Sequence, residues 1–136
     1  MDPIENMDLK ALVELIQKRE DVLLAYIFGS QGIPGRIHTP FSDIDIAVLF
    51  THSPSLGELL SFRADLTHLL KTDSIDLISL NAASPLLKYE VIVGGREIYS
   101  RDPLLQSTFE MKTISHFLDT QYLRNVQNHY LLGEGA

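Results

Sequence analysis

The feature that most constrains this chain is a pair of aspartates inside an apolar run. Residues 43–50 read Asp-Ile-Asp-Ile-Ala-Val-Leu-Phe, so Asp43 and Asp45 stand two positions apart in a segment otherwise typical of a buried β-strand. Side chains two apart on a strand point to the same face. Two carboxylates about 5 Å apart repel by roughly 3 kcal/mol at an effective dielectric constant of about 20, and aspartate is disfavoured in strands. The pattern therefore indicates a cation at this position.

A third aspartate occurs in the next apolar run. Asp76 lies within residues 74–80, Ser-Ile-Asp-Leu-Ile-Ser-Leu, and a neighbouring strand would bring it beside the first two acids. Three carboxylates can hold two divalent ions, the arrangement that serves in-line phosphoryl transfer. Hard dications such as Mg²⁺ take carboxylate oxygens and keep positions open for water and phosphate. Asp43, Asp45 and Asp76 are therefore the predicted catalytic and metal-binding residues.

The apolar run that precedes these acids ends in a glycine and a serine. Residues 22–28 are almost all apolar and lead directly into Gly29 and Ser30. A glycine lets the backbone approach a phosphate closely, and a serine at a helix N-terminus offers a hydroxyl and a backbone N–H to an anion. Each motif alone has an ordinary explanation, such as a capped turn or a solvated acid. Their order on successive strand-like segments favours a nucleotide site.

This combination resembles the nucleotidyltransferase superfamily that includes the DNA polymerase beta-like enzymes. The resemblance rests on the Gly-Ser step and the three acids, and it covers about residues 20–100. It is strongest to the MNT-type minimal nucleotidyltransferases, which are encoded as antitoxins beside HEPN-domain toxins. One departure is the loop of residues 31–42, which is longer than the family's usual pattern.

The resemblance implies an enzyme that transfers AMP from ATP to a hydroxyl, expected to be a tyrosine, of a cognate HEPN toxin. Mg²⁺ is the implied cofactor, and the toxin is the implied partner in a heteromeric complex. Gly29, Ser30 and Arg36 are the predicted nucleotide-binding residues, with Lys88 as a second basic candidate for phosphate contacts. Asp76 would ligate a second metal ion or act as general base.

Two alternatives remain open beside this enzyme hypothesis. The same fold could neutralise a toxin by binding and occlusion alone, without transferring the nucleotide. It could also be a small-molecule nucleotidyltransferase whose substrate site is completed by a separate chain. The three acids favour transfer over occlusion, because occlusion alone does not need clustered carboxylates. A HEPN gene beside this one would decide between the first and third hypotheses.

Composition limits the remaining function classes. The chain has 136 residues, a formal net charge of −7 and no cysteine, which excludes disulfides, thiolate metal sites and cysteine catalysis. Its 11 lysines and arginines are scattered, whereas a protein that grips a nucleic-acid backbone carries a basic patch. We therefore expect no direct nucleic-acid binding. No apolar run approaches transmembrane length and no leader is evident, so we expect a cytoplasmic protein that does not bind membranes.

The order of predicted elements indicates an α/β fold. Strand, loop, strand, helix, strand and helix predict a small mixed β-sheet with helices on one face. A long C-terminal helix is expected over about residues 103–132, and we expect residues 1–136 to form one minimal nucleotidyltransferase domain with its core at about 20–100. An apolar stripe on this helix is expected to pack against the domain, and the alternative is a partner-docking face. The stripe comprises Met111, Ile114, Leu118 and Tyr122, widened by Phe117 and Leu123.

Overall fold

The computed structural model describes residues 7–28 and 44–131, without the side chains of residues 7, 8, 122, 124, 126 and 128–131. The described residues form four helices and four strands. They are α1 (Met7–Gln17), β1 (Val22–Phe28), β2 (Ile44–Phe50), α2 (Leu56–Leu70), β3 (Ile75–Ser79), α3 (Pro85–Gly94), β4 (Arg96–Ser100) and α4 (Pro103–Leu131).

The four strands form one mixed sheet in the order β3-β2-β1-β4. β1 pairs antiparallel with both β2 and β4, whereas β2 and β3 run parallel. α2 connects the two parallel strands, since parallel neighbours need a long crossover. β1 therefore lies inside the sheet and is apolar on both faces, which explains why its sequence reads as a nearly continuous apolar run rather than an alternating one.

Helices cover both faces of this sheet. On one face, Leu12 of α1 and Phe62 of α2 are buried among inward side chains of the strands. On the other face, Val91 of α3 is buried with Tyr26 of β1, and Leu105 of α4 packs against them. The α/β class, the mixed sheet and the long C-terminal helix are confirmed. The expectation that helices cover only one face is wrong, since α3 and α4 cover the second face. The reason is that the interior strand β1 is apolar on both sides and needs cover on both.

Local sequence signals set the ends of α2 and the start of α3. The Ser55 hydroxyl accepts a hydrogen bond from the Glu58 N–H at 3.1 Å, and the Glu58 carboxylate accepts one from the Ser55 N–H at 2.8 Å. This is a capping box, and the backbone hydrogen bond from Ser55 lowers the pKa of Glu58. α2 ends where Lys71 adopts a left-handed conformation with φ 56°. Ser84 caps α3, with Pro85 in its first turn.

A side-chain amide continues the sheet beyond the last residue of β2. Asn81 accepts a hydrogen bond from the Phe50 N–H at 2.8 Å and donates one to the Phe50 carbonyl at 2.9 Å. The backbone N–H of Leu80 also donates to the Val48 carbonyl at 2.8 Å. The amide thus takes the place of a strand neighbour and fixes the carboxyl end of β2, which is the end away from Asp45.

The long helix α4 presents much of its apolar surface to solvent. Met111, Leu118 and Leu123 are 71%, 54% and 58% exposed, whereas Phe117 faces inward and stacks on Tyr89 of α3 with ring centroids 4.2 Å apart. The expected packing of the stripe against the domain is therefore wrong for its exposed members. The alternative, a partner-docking face, is favoured. Among the helices in the described ranges, none is long and apolar enough to cross a membrane.

A close backbone approach at Gly95 gives a first testable prediction. A Cβ added at Gly95 would overlap the Val91 carbonyl oxygen and lie 3.2 Å from the carbonyl oxygen of Ile27. We expect Gly95→Ala to lower the free energy of unfolding by roughly 1–3 kcal/mol, as overpacking does. At the exposed helical Gly57, the nearest atom to an added Cβ is the Ser55 hydroxyl oxygen at 3.9 Å. Gly57→Ala should therefore raise the free energy of unfolding by roughly 0.5–1 kcal/mol. Urea unfolding of both variants measures the two effects, and equal effects of the same sign would contradict this account of Gly95.

Candidate functional site

Two of the predicted acids occupy directly opposed positions on neighbouring strands. Asp45 of β2 and Asp76 of β3 are partners in the parallel ladder, and adjacent strands lie about 4.8 Å apart. Residues in register point to the same face of a sheet. Asp45 is 2% exposed and Asp76 is half-buried. The structure therefore brings these two carboxyl groups together, as the sequence predicts.

The alternation of side chains shows which face carries the acids. Ala47, two residues after Asp45, lies in the apolar cluster beneath α3 and α4, and Ile78, two residues after Asp76, packs against the same cluster. Residues two apart on a strand share a face. The carboxylate pair therefore lies on the side of the sheet that α3 and α4 cover.

The end of β1 lies beside the same pair. Phe28, the last residue of β1, is the antiparallel ladder partner of Asp45. Phe28 directly precedes Gly29 in the sequence. The described part of β1 thus ends at the position next to Asp45.

The remaining predicted site residues differ in what the structure says of them. Lys88 lies on α3 and therefore on the same side of the sheet as the acids. Its proposed contact with phosphate stays a prediction. The other four lie outside the described residues, and their roles also stay predictions: Gly29, Ser30, Arg36 and Asp43.

The donor chemistry of this pair fits a hard divalent cation. Carboxylate oxygens are the ligands that Mg²⁺ takes, and such an ion leaves positions for water and phosphate oxygens. Repulsion between two carboxylates about 5 Å apart, roughly 3 kcal/mol at an effective dielectric constant of about 20, is offset when a dication lies between them. Within residues 7–28 and 44–131, no group of three or more His, Cys, Asp or Glu could hold a metal ion. A three-carboxylate site would therefore need a member outside these ranges, and Asp43 is the residue that the sequence predicts.

One polar contact on this face is not anticipated by the sequence analysis. Tyr26 of β1 is 1% exposed and donates its hydroxyl to the Glu110 carboxylate of α4 at 2.7 Å. Gln106 donates to the same oxygen at 3.2 Å. Burial, with Glu110 as the next cause, raises the pKa of Tyr26 far above its usual value, so the phenol remains a donor. The available signal is a single phenol within an apolar strand, since a buried tyrosine hydroxyl needs a partner.

Comparison with known families and structures gives an independent view of the same chain. The profile of the family described as "Polymerase beta, Nucleotidyltransferase" matches residues 10–104. No curated protein matches the chain. Solved structures match over nearly the whole chain, and three of them have TM-scores of 0.70 to 0.72.

All three similar structures are toxin–antitoxin complexes. The first is a mutant of the MntA–HepT pair, with glutamate in place of two aspartates two positions apart. It is 25% identical, with a TM-score of 0.72, and the match covers 93% of this chain and 99% of that one. A toxin–antitoxin pair with AMP-PNP is 26% identical, with the same TM-score of 0.72 and the same coverage of 93% and 99%. The complex of a tri-AMPylated Shewanella oneidensis HEPN toxin with its MNT antitoxin is 23% identical, with a TM-score of 0.70 and coverage of 91% of this chain and 95% of that one.

The family match and the site geometry agree. The profile spans more than half of the chain and includes both Asp45 and Asp76. The strands that carry these acids lie in the sheet as the resemblance implies. The chain therefore belongs to the polymerase beta nucleotidyltransferase family.

Proposed function

We propose that this protein is an antitoxin nucleotidyltransferase that transfers AMP from ATP to a tyrosine hydroxyl of a HEPN toxin. The observation that carries the proposal is the opposed placement of Asp45 and Asp76 beside the end of β1. The AMP-PNP in one similar structure supports a nucleotide substrate. The AMPylated toxin in another supplies the reaction and the acceptor class.

In this proposal Asp43, Asp45 and Asp76 would hold Mg²⁺. The ion would supply charge neutralisation on the departing pyrophosphate. The acceptor oxygen bonds to the α-phosphorus of ATP as the bond to pyrophosphate breaks. Asp76 is also the proposed general base, which would take the proton from the acceptor hydroxyl directly or through water. Positioning and charge neutralisation carry most of the rate in such reactions.

Gly29, Ser30 and Arg36 are the proposed phosphate contacts, and Ser30 gives a specific prediction. Ser30→Ala deletes one hydroxyl, and a hydrogen bond to a charged group is worth roughly 1.5–3 kcal/mol. We expect kcat/KM for ATP to fall about tenfold or more, with an unchanged unfolding midpoint. Steady-state kinetics with the toxin as acceptor measures this, and Ser61→Ala on the exposed side of α2, across the sheet from the acids, is the matched control. An unaltered kcat/KM would mean that Ser30 only forms the turn.

The partner is proposed to dock on the outer face of α4. Met111, Ile114 and Leu118 form an exposed apolar stripe there. The helix is electrically balanced, with Glu110 and Asp119 against Lys112 and Arg124, in a chain whose net charge is −7. Apolar contact rather than charge would therefore drive docking on this helix.

The proposal extends to the whole chain and its surroundings. Residues 1–136 are taken as one minimal nucleotidyltransferase domain, active in the cytoplasm, where ATP and an intracellular toxin are both present. It is taken to bind neither a membrane nor nucleic acid directly. The register of Asp45 with Asp76 favours transfer over occlusion, because a purely occluding antitoxin has no use for opposed acids on its sheet.

Co-expression with the product of the neighbouring gene tests the proposal against its alternatives. We expect a HEPN protein that co-purifies with this chain and carries added AMP. Co-purification without AMP would instead support occlusion. If no protein co-purifies and a small hydroxylated compound accepts AMP, the small-molecule hypothesis replaces both.

A further inference from the structure

The hydrogen bond between Tyr26 and Glu110 joins two elements that are far apart in the chain. The donor lies on the interior strand β1 and the acceptor lies on α4, 84 residues later. The donor–acceptor distance of 2.7 Å is short, as expected for a hydroxyl that donates to a carboxylate. Gln106, one helical turn before Glu110, donates to the same carboxylate oxygen and holds it in place.

Loss of this hydrogen bond would be costly, because the Tyr26 hydroxyl is buried among apolar side chains. The phenol is buried in an apolar cluster with Phe28 and Val91, and Glu97 of β4 lies opposite Tyr26 in the antiparallel ladder. Two carboxylates therefore approach one buried hydroxyl. An apolar helix–sheet contact could have been built from leucine or phenylalanine alone, so a polar bond here indicates a requirement for a defined position rather than for burial.

The two ends of this hydrogen bond lead to the two functional parts of the molecule. On β1, Phe28 lies two residues after Tyr26, on the same face, and is the ladder partner of Asp45. On α4, Glu110 directly precedes Met111, which is the first residue of the exposed stripe. The bond is therefore a direct polar connection between the strand that ends beside the acids and the helix that carries the stripe.

From this connection we infer that Tyr26 and Glu110 are positioning residues for transfer to the acceptor protein. They fix α4 relative to Asp45, so that a toxin docked on the stripe presents its hydroxyl at one set distance and angle from the nucleotide. The inference rests on the proposed function and deepens it, since it assigns the orientation of the acceptor to a contact that touches neither substrate. Without the bond, the Glu110 carboxylate faces an apolar ring and moves toward solvent, and α4 shifts on the sheet.

Kinetics of Tyr26→Phe with the toxin as acceptor test the inference. The variant keeps the ring and loses only the hydroxyl. We expect kcat for transfer to fall about tenfold to hundredfold, the size of effect that a small misplacement of reacting groups produces. KM for ATP should be unchanged, because the nucleotide site is built from other residues. Glu110→Leu should reproduce the loss, and the double variant should be no slower than either single one.

Two further variants separate positioning from simple loss of stability. Glu110→Gln keeps a side-chain oxygen that accepts the Tyr26 hydroxyl, so it should restore a nearly wild-type kcat. Asn81→Ala removes two hydrogen bonds at the far end of β2, and it should lower the unfolding midpoint while leaving kcat per folded molecule unchanged. If wild type transfers AMP and Tyr26→Phe does so at the same kcat, or Glu110→Gln is as slow as Glu110→Leu, the inference is overturned and the proposed function stands. If wild type transfers nothing to any toxin, the proposed function fails and the inference fails with it.

Discussion

Replacement of both Asp43 and Asp45 by asparagine is expected to abolish transfer of AMP while the fold survives. Asparagine has nearly the same shape as aspartate but removes two of the three negative charges that would hold the metal ion. Loss of this charge neutralisation at the departing pyrophosphate should slow transfer by about a thousandfold or more, since one preorganised electrostatic contact alone can be worth about 100–1,000-fold. The measurement is the rate of label transfer from ATP to the toxin.

The matched control for this variant changes the same number of charges elsewhere. Glu14 and Glu20 are exposed, and α1, which carries Glu14, packs on the opposite face of the sheet from the acids. Glu14→Gln combined with Glu20→Gln therefore alters the net charge equally without touching the site, and it should transfer label at the wild-type rate. Label transfer by the Asp43 and Asp45 double variant at the wild-type rate would show that the site has been assigned to the wrong residues.

A second large effect is the separation of docking from modification. Asp45→Asn should still co-purify with the toxin, because docking uses α4 rather than the buried acid. The bound toxin should lack AMP and remain toxic to cells. Asp76→Asn should behave in the same way, so the prediction does not depend on one buried substitution.

The converse variant should lose the partner and keep the site. Met111 and Leu118 are 71% and 54% exposed, so Met111→Asp with Leu118→Asp should fold normally. It should bind the toxin at least about tenfold more weakly, because truncation of a few central apolar contacts usually costs most of the affinity. A pull-down and a growth assay measure both variants. Full protection of cells by Asp45→Asn would mean that occlusion neutralises the toxin.

Strand pairing explains why the sequence predicts the acid pair so well. Asp45 and Asp76 each lie in a short apolar run, and the helix between the two runs is long enough to let the strands lie parallel and adjacent. The structure pairs the two strands in the register that leaves the two acids opposed. The capping box is likewise of local origin and needs only a serine followed three residues later by a glutamate, as at Ser55 and Glu58.

Contacts between distant elements are what the sequence does not reveal. The Tyr26–Glu110 bond depends on how α4 crosses the sheet, and the Asn81–Phe50 amide pairing depends on where β3 ends. The placement of α3 on the same face as the acids depends on the apolar character of β1 on both sides. The stripe on α4 is a second feature that the sequence does not resolve, because the same apolar pattern suits packing against the domain and docking of a partner. The exposure of Met111 and Leu118 in the structure distinguishes the two roles.

Intact-mass analysis of the toxin tests the central claim most directly. The purified complex is incubated with ATP and Mg²⁺, and the same reaction is run with Asp76→Asn and with a metal chelator. We expect the wild-type reaction to add one or more AMP groups to the toxin, and neither control to add any. An unmodified toxin in the wild-type reaction, or equal modification by Asp76→Asn, would contradict the claim that the opposed aspartates carry nucleotide transfer to a partner protein.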